Sequence, residues 1–245
     1  MDCIYLSPHL DDIALSCGGL VWQQAQSGES ISIWTICAGD PPAGALSPFA
    51  EALHTRWQTG RDAYQQRRQE DRLSCEVMRA GCTHLALPEC IYRQSITGEF
   101  LYDSEESLFG PLHPAEQTLV ERLAGQLAAA LPPDAQLVAP LALGGHVDHR
   151  LARLAAERLG RPLDYYAEYP YVLKSGEALE NLRRKGWAAV VHPVLEPGMM
   201  AWQAAVAAHA SQISTFWRGE TEMRQAIAAY LGGNNGFRLW RRPQA

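Results

Sequence analysis

Short apolar runs alternate with longer stretches of helical spacing along the whole chain. Cys3–Leu6, Ser30–Cys37, His84–Leu87, Gln136–Leu141, Asp164–Tyr169 and Ala188–Val194 are aliphatic, β-branched or aromatic and predict strands. Between them, Leu15–Gln26, Arg61–Ala80, Ala115–Leu131, Val147–Leu159, Gly198–Ala210 and Glu220–Leu231 predict helices, several of them Ala-rich and ended by Gly or Pro. The strand runs are continuous rather than alternating, which predicts a mostly parallel sheet buried by helices on both faces. On the second helix, Glu70, Leu73, Val77 and Ala80 fall at 3,4,3 spacing, so Glu70 extends the expected core-facing stripe. Arg67, one turn earlier, is spaced to pair with it.

No internal repeat, low-complexity tract or linker-like shift in composition appears, so residues 1–245 are expected to form one α/β domain. Two segments, about 39–60 and 89–114, are too long and too rich in Pro and Gly for plain connections. Both follow strands, at the edge where open α/β sheets hold their ligands. The chain carries 21 Lys+Arg against 27 Asp+Glu, a net charge of −6. That balance argues against nucleic acid or an anionic membrane as partner, since both select clustered cations. A chain of this length buries about 70% of its unfolded surface and needs no disulfide framework. The six cysteines, Cys3, Cys17, Cys37, Cys75, Cys82 and Cys90, include no Cys-x-x-Cys pair and are expected as reduced core thiols. The first residues show no signal-peptide pattern, and no apolar stretch reaches the roughly 18–20 residues of a membrane span; a cytoplasmic protein is expected.

Chemistry concentrates after two of the strands. The first ends in Pro8-His9-Leu10-Asp11-Asp12, which delivers an imidazole and two carboxylates on one turn. Histidine nitrogen and aspartate oxygen both ligate zinc, and a neighbouring carboxylate that stays off the metal is free to act as a base. The competing reading makes Asp11 or Asp12 a helix cap. The run Gln136–Leu141 leads into Gly144-Gly145-His146-Val147-Asp148-His149. Its histidines, three apart, face one space, and Asp148 is placed to fix an imidazole tautomer. Both clusters fall on the same rim of the expected sheet, offering two histidines and a carboxylate for one metal with an open position, the composition of a catalytic zinc site. Iron(II) oxygenases use the same ligand types.

These residues resemble the PIG-L (LmbE-like) family of zinc-dependent N-acetylglucosaminyl deacetylases, with their His-Pro-Asp-Asp element after the first strand and later His-x-Asp-His element. Arg67-Arg68-Gln69-Glu70, Leu87-Pro88-Glu89 and His209-Ala210-Ser211-Gln212 extend the likeness across roughly residues 3 to 215. The resemblance implies a Rossmann-like three-layer sandwich with the active site at the carboxyl ends of the strands. It implies His9, Asp12 and His149 as ligands of Zn2+, with Fe2+ or another divalent metal as the alternative. Asp11 is then the general base for a metal-activated water, His146 the oxyanion partner as an imidazolium, and Asp148 the group that orients the His146 ring. Arg67 is implied in substrate contact. The implied reaction removes an N-acetyl or other acyl group from an amino sugar or its conjugate.

Leu10 stands where the family has Pro, and Gly144 where some members have Tyr. Trp57, Tyr64, Tyr92, Arg93, Phe100 and Tyr102 on the long loops are candidates to stack on a sugar or aglycone. His209 is expected to be structural; His54, His84, His113 and His192 receive no role. Met199–Trp202 and Phe237–Trp240 are candidates for burial between subunits of a homo-oligomer. Two rivals remain at this stage: a metal-dependent hydrolase of another amide or ester bond, and a non-catalytic sugar- or nucleotide-binding module. Against the latter, the first turn lacks Gly-x-Gly-x-x-Gly, and its two carboxylates would repel a pyrophosphate.

Overall fold

The computed structural model describes residues 2–57, 63–234 and 236–243. In chain order the elements are β1 (Asp2–Ser7), α1 (Asp12–Gln26), β2 (Ser30–Thr35), α2 (Pro48–Arg56), α3 (Ala63–Met78), β3 (Gly81–His84), α4 (Glu105–Leu108), α5 (Gln117–Ala130) and β4 (Gln136–Pro140). They continue with α6 (Val147–Arg158), β5 (Leu163–Tyr166), α7 (Gly176–Arg184), β6 (Ala188–His192), α8 (Glu196–Ala208), α9 (Ala210–Phe216), α10 (Glu220–Asn234) and β7 (Phe237–Arg241). The start of the helix expected at Arg61 lies outside the described residues, as does the end of the first long loop.

The sheet has strand order β3-β2-β1-β4-β5-β7-β6. Its first five strands are parallel, and β7 runs antiparallel between β5 and β6. The fold class expected from sequence is therefore observed, with a short antiparallel edge added. The chain leaves β1 toward β2 and β3, then returns to the other side of β1 with β4 and β5. That reversal opens a crevice beyond the carboxyl ends of β1 and β4, the usual ligand position in such sheets.

Helices α1, α3, α8 and α10 cover one face around Trp202, Val206, Met223 and Ile227. Helices α5 and α6 cover the other around Leu123, Leu127, Leu151 and Ala155. A third apolar cluster, including Leu10, Leu53, Tyr64, Ile91, Tyr92, Tyr102 and Val147, packs the long loops over the crevice. Within those loops Ser47 caps α2 by accepting from the Ala50 amide at 3.0 Å. The Gly18-Gly19 pair inside α1 has a packing reason: a Cβ on Gly18 would lie 2.8 Å from Trp202 Cδ1, so only glycine lets α8 approach this closely.

Three expectations are corrected. The third strand is Gly81–His84, not His84–Leu87; it is a half-exposed edge strand whose polar residues hide it from an apolar pattern. Phe237, Leu239 and Trp240 are buried inside the sheet as β7, and Trp202 is core, so neither segment supplies a subunit face beyond the exposed Met200. On α3 the buried stripe is Arg67, Glu70, Asp71, Ser74, Cys75 and Met78, while Leu73 is exposed. The buried face of this helix is largely polar, a distribution that hydrophobic periodicity alone misplaces.

Candidate active site

The turn after β1 holds its polar groups by local bonds. The His9 amide donates to Asp12 Oδ2 at 2.8 Å, and Ser7 Oγ donates to the His9 carbonyl at 2.5 Å. Asp11 occupies the N-cap position of α1, yet its side chain makes no cap bond. Capping therefore does not account for the paired aspartates. Beyond β4, His146 is the N-cap of α6 and accepts from the Asp148 amide through Nδ1 at 3.2 Å. Gly144 leaves space for an aromatic ring: a Cβ there would lie 2.6 Å from Tyr171, whose ring packs edge-on to His149. Tyr171, carried on the segment after β5, thus fills the volume that a side chain at position 144 would need.

The two clusters converge. Asp12 Oδ2 lies 3.3 Å from His9 Nδ1 and 3.4 Å from His149 Nε2. Tetrahedral zinc with bonds of about 2.0–2.1 Å spaces its nitrogen and oxygen ligands about 3.3 Å apart, so both of these separations suit such an ion. The far side of each imidazole is fixed by a buried carboxylate. His9 Nε2 donates to Asp148 Oδ2 at 3.0 Å, and His149 Nδ1 donates to Glu168 Oε1 at 3.2 Å. His9 Nδ1 and His149 Nε2 are thereby turned toward Asp12, the arrangement that orients metal-binding histidines. His146 also brings a nitrogen within 4.8 Å of those of His9 and His149. Its Nδ1 is occupied by the Asp148 amide, so the neutral ring carries its proton on Nε2, 4.0 Å from the Cys90 thiol.

Charge explains the protonation preferences. Burial opposes the charge on Asp12, but the His149 and His9 rings hold its carboxyl well below the usual range. Burial pushes the Asp11 carboxyl up, against the pull of Arg67, whose Nη2 is 3.7 Å from Asp11 Oδ1. Burial and the neighbouring His9 lower His146 to about 3, which favours the neutral ring over the imidazolium expected from sequence. Burial also opposes ionisation of Asp148, but Arg93 and His9 hold it well below the carboxylate range.

Six of the seven predicted site residues thus gather in one cleft, and Asp148 lies behind His9. The cleft has a volume of about 290 Å³ and is lined by His9, Asp11, Asp12, Arg67, His146 and His149, with Trp57, Phe109, Tyr169, Tyr171 and Phe216 at its rim. Two expected pairings differ. The Asp148 carboxylate bonds His9, the Cys90 amide and Arg93, and orients His9 in place of the His146 ring. Arg67 donates to Glu89 Oε1 at 2.8 Å, while Glu70 accepts from the Ser211 amide and hydroxyl at 3.0 and 2.6 Å, so the expected Arg67–Glu70 pair is not made. Arg93, Tyr64, Tyr92 and Tyr102 are buried rather than displayed to a ligand. Arg93 joins Asp148 to Glu116, which also accepts from Tyr102 at 2.6 Å. Sequence reasoning missed Glu168, Glu116 and Tyr171; the one available signal was a glutamate two residues beyond the apolar strand β5. A larger groove at the opposite ends of the strands is lined by Pro133, Asp164 and Arg241. Of its acids, Asp164 is engaged by Arg241 and Gln136, and Glu157 by Arg153 and Arg242.

The family model for GlcNAc-PI de-N-acetylase, PIG-L, matches residues 4–159, a span that includes both clusters. The chain belongs to this family. It is 28% identical over 205 residues to the 2'-N-acetylparomamine deacetylase of Niallia circulans, covering 75% of this chain and 71% of that protein. Its fold matches the zinc-inhibited form of teicoplanin deacetylase with a TM-score of 0.83, at 25% identity across 100% of both chains. A deacetylase–teicoplanin complex matches with a TM-score of 0.80, at 26% identity over 98% of this chain and 97% of the other.

Proposed function

We propose that this protein is a metal-dependent deacetylase that hydrolyses the N-acetyl amide of an amino sugar or amino-sugar conjugate, with residues 1–245 acting as one catalytic unit. The observation that carries the reading is the convergence of His9 Nδ1, His149 Nε2 and Asp12 Oδ2 while Asp11 stands beside them outside the trio. His9, Asp12 and His149 would hold the metal; Zn2+ suits the donor set and spacing. A bound divalent cation supplies Lewis-acid polarisation of the amide carbonyl and makes water more acidic.

The protein's own groups perform the proton transfers. Asp11, kept near the reacting centre by Arg67, accepts a proton from water as the water oxygen adds to the acyl carbon. His146 donates its Nε2 proton in a hydrogen bond to the developing oxyanion; one such donor contributes about 3–4 kcal/mol to the transition state. Asp11 then returns the proton to the sugar nitrogen as the C–N bond breaks, giving acetate and a free amine. Arg67, Trp57 and Tyr171 would contact the sugar, and the aromatic rim suits a saccharide that carries a larger group. Two relatives named for deacetylation of N-acetylparomamine and of teicoplanin support a substrate of this class. Six free thiols accord with a reducing compartment, proposed as the cytoplasm. No described helix is long and apolar enough to cross a membrane.

The test is amine and acetate release from a panel of N-acetylated amino sugars, aminoglycoside fragments and N-acetylglucosaminyl conjugates. Stoichiometric amine and acetate from at least one of them is the expected result. Turnover of generic esters, with no amine from any N-acetyl sugar, would overturn the substrate class.

A further inference from the structure

The polar stripe of α3 continues past the active site. Asp71 and Cys75, four residues apart, share one face of the helix; Cys82 and His84, two apart, share one face of β3. The turn between them is tight, with Arg79 at φ 58° and the Ala80 amide donating to the Cys75 carbonyl at 2.9 Å, and it folds the two faces together. Cys82 Sγ lies 3.2 Å from His84 Nε2 and 3.6 Å from Asp71 Oδ2. His84 Nε2 lies 2.7 Å from Asp71 Oδ2, and ligand atoms of Asp71, Cys75 and Cys82 all fall within 4.8 Å of one another.

The environment favours a cation. Asp71 is buried, and among the described residues no Arg or Lys pairs with it; its contacts are His84, Cys82 and, at 4.0 Å, His209. The close basic partner of this carboxylate is the His84 imidazole at 2.7 Å, and a metal ion would take the place of the proton held between them. Asp71, Cys75 and Cys82 supply a carboxylate and two thiols, His84 adds an imidazole beside Cys82 and Asp71, and thiolates select a soft or borderline metal. Tetrahedral zinc, with bonds of about 2.3 Å to sulfur and about 2.0–2.1 Å to nitrogen and oxygen, spaces its ligands about 3.3–3.8 Å apart. The two sulfur contacts of Cys82 already lie near that range, and the His84–Asp71 hydrogen bond would open to admit the ion. Cys82 is exposed and gives the cation an entry path.

We propose that Asp71, Cys75, Cys82 and His84 form a second metal site, which takes a thiophilic divalent cation of the zinc type and is structural in role. Binding replaces the two S–H bonds with metal–sulfur bonds and releases both protons to solvent, and the proton that His84 Nε2 donates to Asp71 moves to Nδ1 or, from a protonated ring, leaves with them. The site would fasten the C-terminal turn of α3 to the edge strand β3. It thereby anchors the helix whose other turns carry Arg67 against Glu89 and Glu70 against Ser211.

The proposal rests on no part of the reaction above, and its test reads sulfur ligation directly. The metal-free full chain is titrated with Co2+ under reducing, anaerobic conditions, and the near-ultraviolet thiolate-to-cobalt charge-transfer band is recorded. The catalytic trio contains no sulfur, so it cannot produce this band. Wild-type protein and Cys90→Ala are expected to show the band, and Zn2+ is expected to displace it. Cys75→Ser and Cys82→Ser should each lose the band and one equivalent of bound metal while keeping deacetylase turnover. Cys82→Ser, altering an exposed side chain, keeps the test valid if Cys75→Ser fails to fold. A band absent from wild type, retained in Cys82→Ser, or lost only in Cys90→Ala would overturn the proposal.

Discussion

Replacing Asp148 by Asn separates two accounts of this carboxylate. It is fully buried and accepts from three donors: His9 Nε2 and the Cys90 amide on Oδ2, both at 3.0 Å, and Arg93 on Oδ1. An amide has one acceptor oxygen and must turn its NH2 toward at least one of these donors. If the NH2 faces Arg93, that guanidinium loses one of its two carboxylate partners and keeps Glu116. Breaking a buried pair costs about 3–5 kcal/mol, and the surviving partner puts the loss near the lower end. At roughly 2–4 °C per kcal/mol for a chain of this size, the melting temperature should fall by about 6–12 °C. If the NH2 faces His9 instead, the ring must carry its proton on Nδ1, the nitrogen aimed at Asp12. Either way the support for a metal-binding histidine weakens, and metal affinity should drop about 10–100-fold. Competition with a chromophoric chelator measures the affinity, and thermal denaturation with and without Zn2+ measures the stability. Unchanged metal affinity combined with lost turnover would refute this reasoning and return Asp148 to the service of His146.

Asp11→Asn is expected to retain metal and lose about 10²–10⁴ in kcat, checked by metal analysis beside initial rates; full activity would remove Asp11 as the base. His146→Ala should lower kcat about 10²–10³-fold with metal content unchanged. Metal loss equal to that of His149→Ala would make His146 a ligand. Trp202→Ala, in the α1–α8 core, should cost about 3–5 kcal/mol, read as a fall in denaturation midpoint, with turnover per folded molecule preserved.

Much of this architecture is legible in the sequence because parallel strands buried on both faces leave continuous apolar runs. Residues Cys3–Leu6 and Gln136–Leu141 mark β1 and β4, whose carboxyl ends meet at the reversal of strand order. The two polar clusters are legible for the same reason, since both follow those two strands directly. What escapes is chemistry set by packing between distant segments. Asp148 sits two residues from His146, and local spacing suggested that they pair, yet the loop that carries Cys90 and Arg93 turns the carboxylate to His9. Arg93 lies on a Gly- and Pro-rich loop and reads as exposed; its burial depends on Glu116, 23 residues away. Strand β3 is weakly apolar because it is an edge, and β7 is short enough to resemble a terminal patch.

By this assignment His9, Asp12 and His149 hold a metal required for hydrolysis. The most direct measurement is amine release from an N-acetylglucosaminyl conjugate by chelator-stripped protein, before and after stepwise addition of Zn2+, with bound metal quantified on the same samples. The metal assignment predicts no turnover in the stripped protein, recovery on metal addition, and no recovery in His149→Ala. Full turnover by protein shown to contain no metal would contradict it.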